Sequence, residues 1–186
     1  MDDEFRYSID LSRAQAGAEK IIACIKRWQE HHDIRRFEYT NHLRVAPTEI
    51  PHSHPVLTLN TALYDPEEIL CEYLHEQMHW YVVRLGCADE GSPLIAELKQ
   101  RYPQVPAGFP EGANDEYSTY LHLLINWLEI EAASRFMAQE RAEAIARKKH
   151  YYRWMYRTVL SDWRSLGELF RAHGIVPIAP AEQLAG

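Results

Sequence analysis

Residues 65–86 read DPEEILCEYLHEQMHWYVVRLG, and this stretch predicts a long helix near the middle of the chain. Asp65 is a candidate N-cap, Pro66 suits the first helical position, and Glu68 can complete a capping box. Apolar residues then recur at helical spacing through about five turns. Gly86 is a natural stop, because glycine adopts the left-handed conformation that commonly ends a helix. The pattern therefore predicts one rigid helix that runs up to Gly86.

The centre of this helix holds the pentad His75-Glu76-Gln77-Met78-His79, which is an HExxH pattern. Positions i and i+4 of a helix lie one above the other on the same face, so both imidazoles can bind one metal ion. Zinc is the metal that this pattern favours, and the glutamate next to the first histidine can activate a zinc-bound water. We therefore predict that His75 and His79 are zinc ligands and that Glu76 is the catalytic residue.

A catalytic zinc site has three protein ligands and a water, so a third ligand has to come from another element. A second long helix is predicted from about Asn114 to Gln139, and its middle is almost entirely apolar. Its polar side chains, spaced as i, i+4 and i+7, are His122, Asn126 and Glu129. Buried polar groups need partners, and a metal with the residues around it would supply them. We predict His122 as the third ligand, with Glu129 and Glu116 as alternatives.

Asn126 and Glu129 are also candidates to accept the second N–H of a ligand imidazole. Glu72, one turn before His75, is either another candidate for that role or a solvated surface residue. His52 and His54 form another candidate pair, although a proline-rich loop positions metal ligands poorly. Cys71 precedes His79 by two helical turns, about 12 Å along the axis, so one ion cannot bind both side chains. We expect Cys71 to be a core residue.

Length and composition indicate a single domain over residues 1–186, with a first part, 1–86, that ends with the HExxH helix and a mainly helical part, 87–186. No apolar run approaches the ~20 residues that a membrane span needs. The acidic start Met1-Asp2-Asp3-Glu4 lacks the basic region of a secretion signal. Three cysteines without CxxC spacing fit a reducing compartment. We therefore expect a cytoplasmic protein without a removable leader.

Short extended segments among long helical ones predict the α+β class. A first helix is expected from about Asp10 to His32, and a short helix is expected from Ser92-Pro93 to about Arg101. The strand candidates, which predict a small antiparallel or mixed sheet, are residues 36–40, 42–46 and 55–59. Residues 102–112 read as a loop, one or two more helices follow the second long helix to about His173, and the tail from Gly174 reads as extended.

The order of an N-terminal helix, a few strands and an HExxH helix resembles that of the zincin metallopeptidases. The resemblance covers roughly residues 10–139, and its specific element is the HExxH pentad. No histidine follows at the HExxHxxGxxH spacing, so the metzincin pattern is not met. In zincins the strand before the active-site helix borders the cleft and can pair with an extended substrate. The resemblance therefore implies a small zincin-like sheet in which Val56–Asn60 is the substrate-binding edge.

The activity that we predict is zinc-dependent hydrolysis of a peptide bond, with a peptide or protein as the substrate. A net charge of −7 disfavours nucleic acid as the main ligand. A basic and aromatic stretch, Arg141–Arg157, is either a solvated helix face or a patch for nucleic acid or an acidic partner. Side chains there that can assist catalysis are Tyr151, Tyr152, Tyr156 and Arg157.

Two other functions remain open from the sequence. The first is a catalytically silent zinc domain, in which Glu129 or Cys87 completes a closed site of four protein ligands. The second is a processing protease that is active only when the basic C-terminal helices bind a partner. The sequence does not indicate an oligomeric state.

Overall fold

The structure is a computed structural model that describes residues 5–9 and 15–176. The described residues form seven α-helices and a small three-stranded sheet, which confirms the predicted α+β class. The chain divides into two compact units, and the boundary between them lies after Tyr81. None of the helices in the described ranges is long and apolar enough to cross a membrane.

The sheet of the first unit is parallel, so the expectation of an antiparallel or mixed sheet was wrong. Its strands are β1 (Arg6–Ile9), β2 (His42–Val45) and β3 (Leu57–Leu59), in the order β1-β2-β3. Tyr7 is aligned with Leu43, and Leu43 with Leu57. The sequence pattern did not reveal β1, and the helix after β1 returns the chain so that β2 runs in the same direction. The predicted strand at 36–40 was also wrong, because a short 3-10 helix, Ile34–Phe37, includes its first two residues and residues 38–40 form no strand.

Two helices complete the first unit. Helix α1 (Gln15–His31) buries Ala18, Ile21 and Ile25 on one face, as its apolar spacing predicted. Residues 10–14 of the predicted helix lie outside the described residues. Helix α2 (Pro66–Leu85) carries the HExxH pentad. The predicted limits of α2 are confirmed, since Asp65 Oδ1 accepts the backbone N–H groups of Glu67 and Glu68 at 2.9 and 3.2 Å. Gly86 follows with a φ of 59°.

The second unit is helical. Its helices are α3 (Pro93–Arg101), α4 (Glu116–Ala133), α5 (Gln139–Lys148), α6 (Arg153–Ser161) and α7 (Trp163–Ala172). Helix α4 is buried on almost every side and contacts α3, α5, α6 and α7. Ser92 caps α3 as expected, because its Oγ accepts Ile95 N–H. Asp115, which the sequence pattern did not single out, caps α4, because its Oδ1 accepts Ser118 N–H.

The predicted helix from Asn114 to Gln139 is shorter in the structure. Helix α4 ends at Ala133, where Ser134 Oγ donates to the Ile130 carbonyl at 2.7 Å, and a new helix begins at Gln139. Apolar periodicity continues across this break, which is why the pattern did not reveal it. Most of the tail that was predicted to be extended, residues 177–186, lies outside the described residues.

Candidate metal centre

Helix α2 places both pentad histidines on one face. The His75 and His79 ring centroids lie 5.2 Å apart, with the rings edge to face at 69°. The side chains of His75 and Glu76 are buried, and His79 is half-buried. Glu72 is buried as well, so it is not the solvated surface glutamate that was one reading of the sequence. Buried ionisable groups need partners, and a metal ion is one kind of partner that could satisfy them.

The middle residue of the pentad, Gln77, has a structural role that the sequence did not suggest. Its Oε1 accepts the backbone N–H groups of Tyr39 and Thr40 at 2.7 and 3.0 Å. Its Nε2 donates to the Thr40 carbonyl at 3.1 Å and to the Tyr73 hydroxyl at 3.0 Å. The side chain is completely buried. Gln77 therefore ties the centre of α2 to the segment that leads into β2.

The same network continues from Tyr73 through the first unit. The Tyr73 hydroxyl donates to Glu38 Oε1 at 2.8 Å, and Gln29 Nε2 donates to the same oxygen at 2.7 Å. Tyr7 OH in turn donates to Gln29 Oε1 at 2.5 Å. Burial raises the pKa of Glu38, although the donors Gln29 and Tyr73 lower it in part. These bonds link β1, α1 and α2 and so hold the face with the histidines in a defined orientation.

Helix α4 supplies the predicted third histidine. His122 Nδ1 lies 2.6 Å from the Ser118 carbonyl oxygen. Because a carbonyl oxygen only accepts, Nδ1 carries the hydrogen and the lone pair of the neutral ring is on Nε2. The Tyr152 ring lies against His122 with its centroid 4.3 Å away. His122 is buried, and its backbone-bonded nitrogen matches the usual arrangement of a metal-binding imidazole.

The structure brings the three predicted ligands together. The ligand atoms that His75, His79 and His122 offer all lie within 4.8 Å of one another, and no other group of three such residues converges in the described part of the chain. Two nitrogens bound to one tetrahedral zinc, each at ~2.0–2.1 Å, are about 3.4 Å apart. Three imidazoles that offer ligand atoms within 4.8 Å of one another could therefore hold a metal ion.

The alternative ligands of α4 are not part of this group. Glu129 is buried, and its Oε2 accepts the Tyr156 hydroxyl at 2.6 Å. Glu116 is exposed at the start of the helix, with the Tyr120 hydroxyl 3.4 Å from its Oε1. Neither carboxylate converges with the three histidines.

Asn126 lies one turn after His122 on α4. Its side chain is completely buried, yet neither its amide nitrogen nor its oxygen has a hydrogen-bond partner among the described residues. An unpaired buried amide costs about 1–3 kcal/mol. A water or a bound ligand beside His122 could form the hydrogen bonds that the Asn126 amide lacks. The unpaired amide is therefore consistent with a binding site at this part of α4.

The other candidate ligands are engaged elsewhere. His52 Nδ1 donates to the Ile50 carbonyl, whereas the His54 ring stacks on Trp80 at 4.2 Å. Burial lowers the pKa of His54, so its ring loses its proton more readily. Cys71 is buried, as predicted for a core residue, and all three cysteines are free thiols. Burial raises the pKa of Cys87, which disfavours the thiolate that a metal would bind.

Strand β3 does not present the open edge that the zincin resemblance implied. Thr58 N–H donates to the His52 carbonyl at 2.8 Å, and His52 N–H donates to the Thr58 carbonyl at 3.1 Å. Because both backbone groups of Thr58 bond His52, they face away from β2. A substrate strand would have to displace His52 from this position.

The C-terminal side chains that were candidates for assisting catalysis lie in different surroundings. Tyr152 contacts His122, and its backbone is left-handed with a φ of 56°. Tyr156 bonds Glu129, and Arg157 pairs with Glu111 at 2.6 Å. Tyr151 OH lies 3.0 Å from Lys149 Nζ. Tyr152 is therefore in contact with a predicted ligand.

No protein-family model, no curated protein and no solved structure matches this chain.

Proposed function

We propose that this protein is a zinc-dependent metallopeptidase. The observation that carries the proposal is the convergence of three imidazoles, two of them from an HExxH pentad on α2, to within 4.8 Å. The pentad also places Glu76, a buried carboxyl group, next to one of the proposed ligands. This is the donor set of a catalytic zinc site that keeps one position for solvent.

In this proposal His75, His79 and His122 hold Zn²⁺ through neutral ring nitrogens, with the Nε2 of His122 as its ligand atom. Bound zinc would lower the pKa of a coordinated water and polarise the carbonyl of a peptide bond. Glu76 accepts a proton from the attacking water and passes it to the leaving amine. The hydrogen bond from His122 Nδ1 to the Ser118 carbonyl fixes the tautomer and orientation of that ring. Asn126 is suited to hold a water beside it.

The number of converging ligands favours an open, catalytic site over a closed, structural one. Three histidines converge in the described ranges. The two residues that the sequence offered as a fourth ligand, Glu129 and Cys87, are each unfavourable for that position. Glu129 accepts the Tyr156 hydroxyl, and burial raises the pKa of Cys87, which disfavours the thiolate that a metal would bind. The free thiols are consistent with the cytoplasmic location that forms part of the proposal.

Metal analysis of the purified protein combined with the Glu76→Gln variant tests the proposal. Wild-type protein should contain one zinc per chain and should cleave members of a fluorogenic peptide library. Glu76→Gln should keep its zinc and lose at least ~10²-fold in kcat/KM, the scale of a general base. Glu90→Gln, a change of the same chemistry at an exposed residue, serves as the control and should retain full activity. Bound zinc with equal hydrolysis by both variants would refute the role of Glu76.

The silent zinc domain is the competing function, and the same experiment separates it. Such a domain would contain zinc yet show no hydrolysis in wild-type protein, with a fourth protein ligand visible by X-ray absorption spectroscopy. A peptidase should show a water-derived oxygen in that position.

A further inference from the structure

Residues 147–157, which we call the basic segment, read RKKHYYRWMYR. The segment contains five of the chain's 20 lysines and arginines and none of its 27 acidic residues. Because the chain as a whole carries a net charge of −7, this segment is opposite in charge to the rest of the molecule. Such a local reversal of charge attracts an acidic partner over about a Debye length of ~10 Å at ordinary salt concentrations.

The basic segment lines much of a hollow on the second unit. It joins the end of α5 to the start of α6, and the hollow there has a volume of about 720 Å³. No acidic residue lines the hollow; its basic lining residues are Arg147, Lys148, Lys149, His150, Arg153 and Arg157. The hollow is therefore a concave site with one sign of charge.

Two of these cations already have acidic partners. Arg147 pairs with Glu143 at 2.8 Å, and Arg157 pairs with Glu111 at 2.6 Å. The Lys148 and Arg153 side chains are exposed to solvent. These two residues give the hollow its capacity to bind a further anion.

We propose that this hollow docks an acidic segment of the polypeptide substrate, so that substrates with a run of Glu or Asp are bound before cleavage. This inference rests on the proposed function, since it names the substrate class of the same enzyme. Tyr151 and Tyr152 separate His150 from Arg153 in the sequence, and the Tyr152 ring contacts His122. The residues that line the hollow therefore flank, in the sequence, a residue that contacts a proposed zinc ligand. Docking there would raise the effective concentration of the substrate's peptide bonds near that ligand.

An acidic polypeptide fits this hollow better than a nucleic acid does. Binding of single-stranded nucleic acid uses aromatic faces on which bases stack. The aromatic side chains here are engaged, because Tyr152 packs on His122, Tyr156 bonds Glu129, and Trp154 meets Tyr102 edge to face. A nucleic acid would also extend its regular phosphate charge beyond the hollow onto an acidic protein, whereas a short acidic segment confines its charge to the hollow.

Fluorescence anisotropy with three labelled probes tests the docking. The probes are an oligoglutamate peptide, the same peptide with glutamine in place of glutamate, and a single-stranded oligonucleotide of matched charge. The test variant is the double reversal Lys148→Glu/Arg153→Glu. The control is Arg135→Glu/Arg164→Glu, which changes the net charge equally at two exposed arginines outside the hollow. Circular dichroism checks that both variants are folded.

The oligoglutamate peptide should bind in a salt-dependent manner, and the test variant should weaken that binding by at least about tenfold while the control does not. In hydrolysis of a peptide with an acidic extension, the test variant should raise KM and leave kcat unchanged. Equal binding by both variants, or no binding of oligoglutamate, would overturn the proposal. Preferential binding of the oligonucleotide in the hollow would also overturn it. If docking is observed but no peptide is cleaved by wild-type protein, the docking stands and the peptidase function fails.

Discussion

Replacing Gln77 by leucine removes a buried amide while keeping a side chain of similar size. Gln77 makes four hydrogen bonds, to Tyr39 N–H, to both backbone groups of Thr40 and to the Tyr73 hydroxyl. Tyr39 is buried, so its N–H loses its partner at a cost of about 1–3 kcal/mol. Each of the other three bonds contributes about 0.5–1.5 kcal/mol, and Thr40 can recover part of this from solvent. We therefore expect Gln77→Leu to lower the free energy of unfolding by about 3–5 kcal/mol.

Urea unfolding followed by circular dichroism measures this loss directly. For a chain of 186 residues, such a change corresponds to a decrease in Tm of roughly 10–15 °C. Gln100→Leu, the same substitution at an exposed position of α3, is the matched control and should change stability by less than about 0.5 kcal/mol. A loss of less than about 1 kcal/mol for Gln77→Leu would refute the reasoning, because it would mean that the amide does not hold α2 to the segment before β2.

Three further results are expected. His122→Ala should bind zinc with much lower stoichiometry in elemental analysis, whereas Glu129→Gln should keep its zinc; the reverse pattern would exchange their roles. Tyr156→Phe should destabilise the protein by about 1.5–3 kcal/mol in urea unfolding, because the buried Glu129 carboxyl group loses its 2.6 Å donor. Burial raises the pKa of Glu38 above the ordinary value of 4.5, so the folded state binds that proton more tightly than the unfolded state. Stability should therefore decrease as pH rises from about 4.5 through the raised pKa, and this dependence should be absent in Glu38→Gln; a wild-type urea midpoint that stays flat over this range would contradict the assignment.

Local interactions explain the parts of the fold that were predictable. The start of α2 follows from the Asp65 carboxylate and Pro66, and its end follows from Gly86, all within one helical turn of the helix limits. The shared face of His75 and His79 follows from the i, i+4 spacing alone. The cap at Ser92 and the buried face of α1 follow from similarly short-range patterns.

Contacts between distant parts of the chain explain the errors. The direction of the strands depends on β1 and on the return of the chain through α1, and neither is encoded in the alternation of a four-residue strand. The break after Ala133 was hidden because packing against several helices makes α4 apolar on every side. The pairing of Thr58 with His52 is likewise a contact between a loop and a strand, which no residue pattern indicates.

The candidate site also depends partly on local helix geometry and partly on tertiary contacts. By itself the amino-acid sequence determined the helix with HExxH, the pair of imidazoles on it and the position of Glu76, because helical geometry is set within four residues. Only the tertiary structure brought His122 to His75 and His79, bonded its Nδ1 to Ser118 and used Glu129 to bind Tyr156. Sequence spacing shows which residues share a helix face, whereas the packing of separate helices decides which of those faces meet.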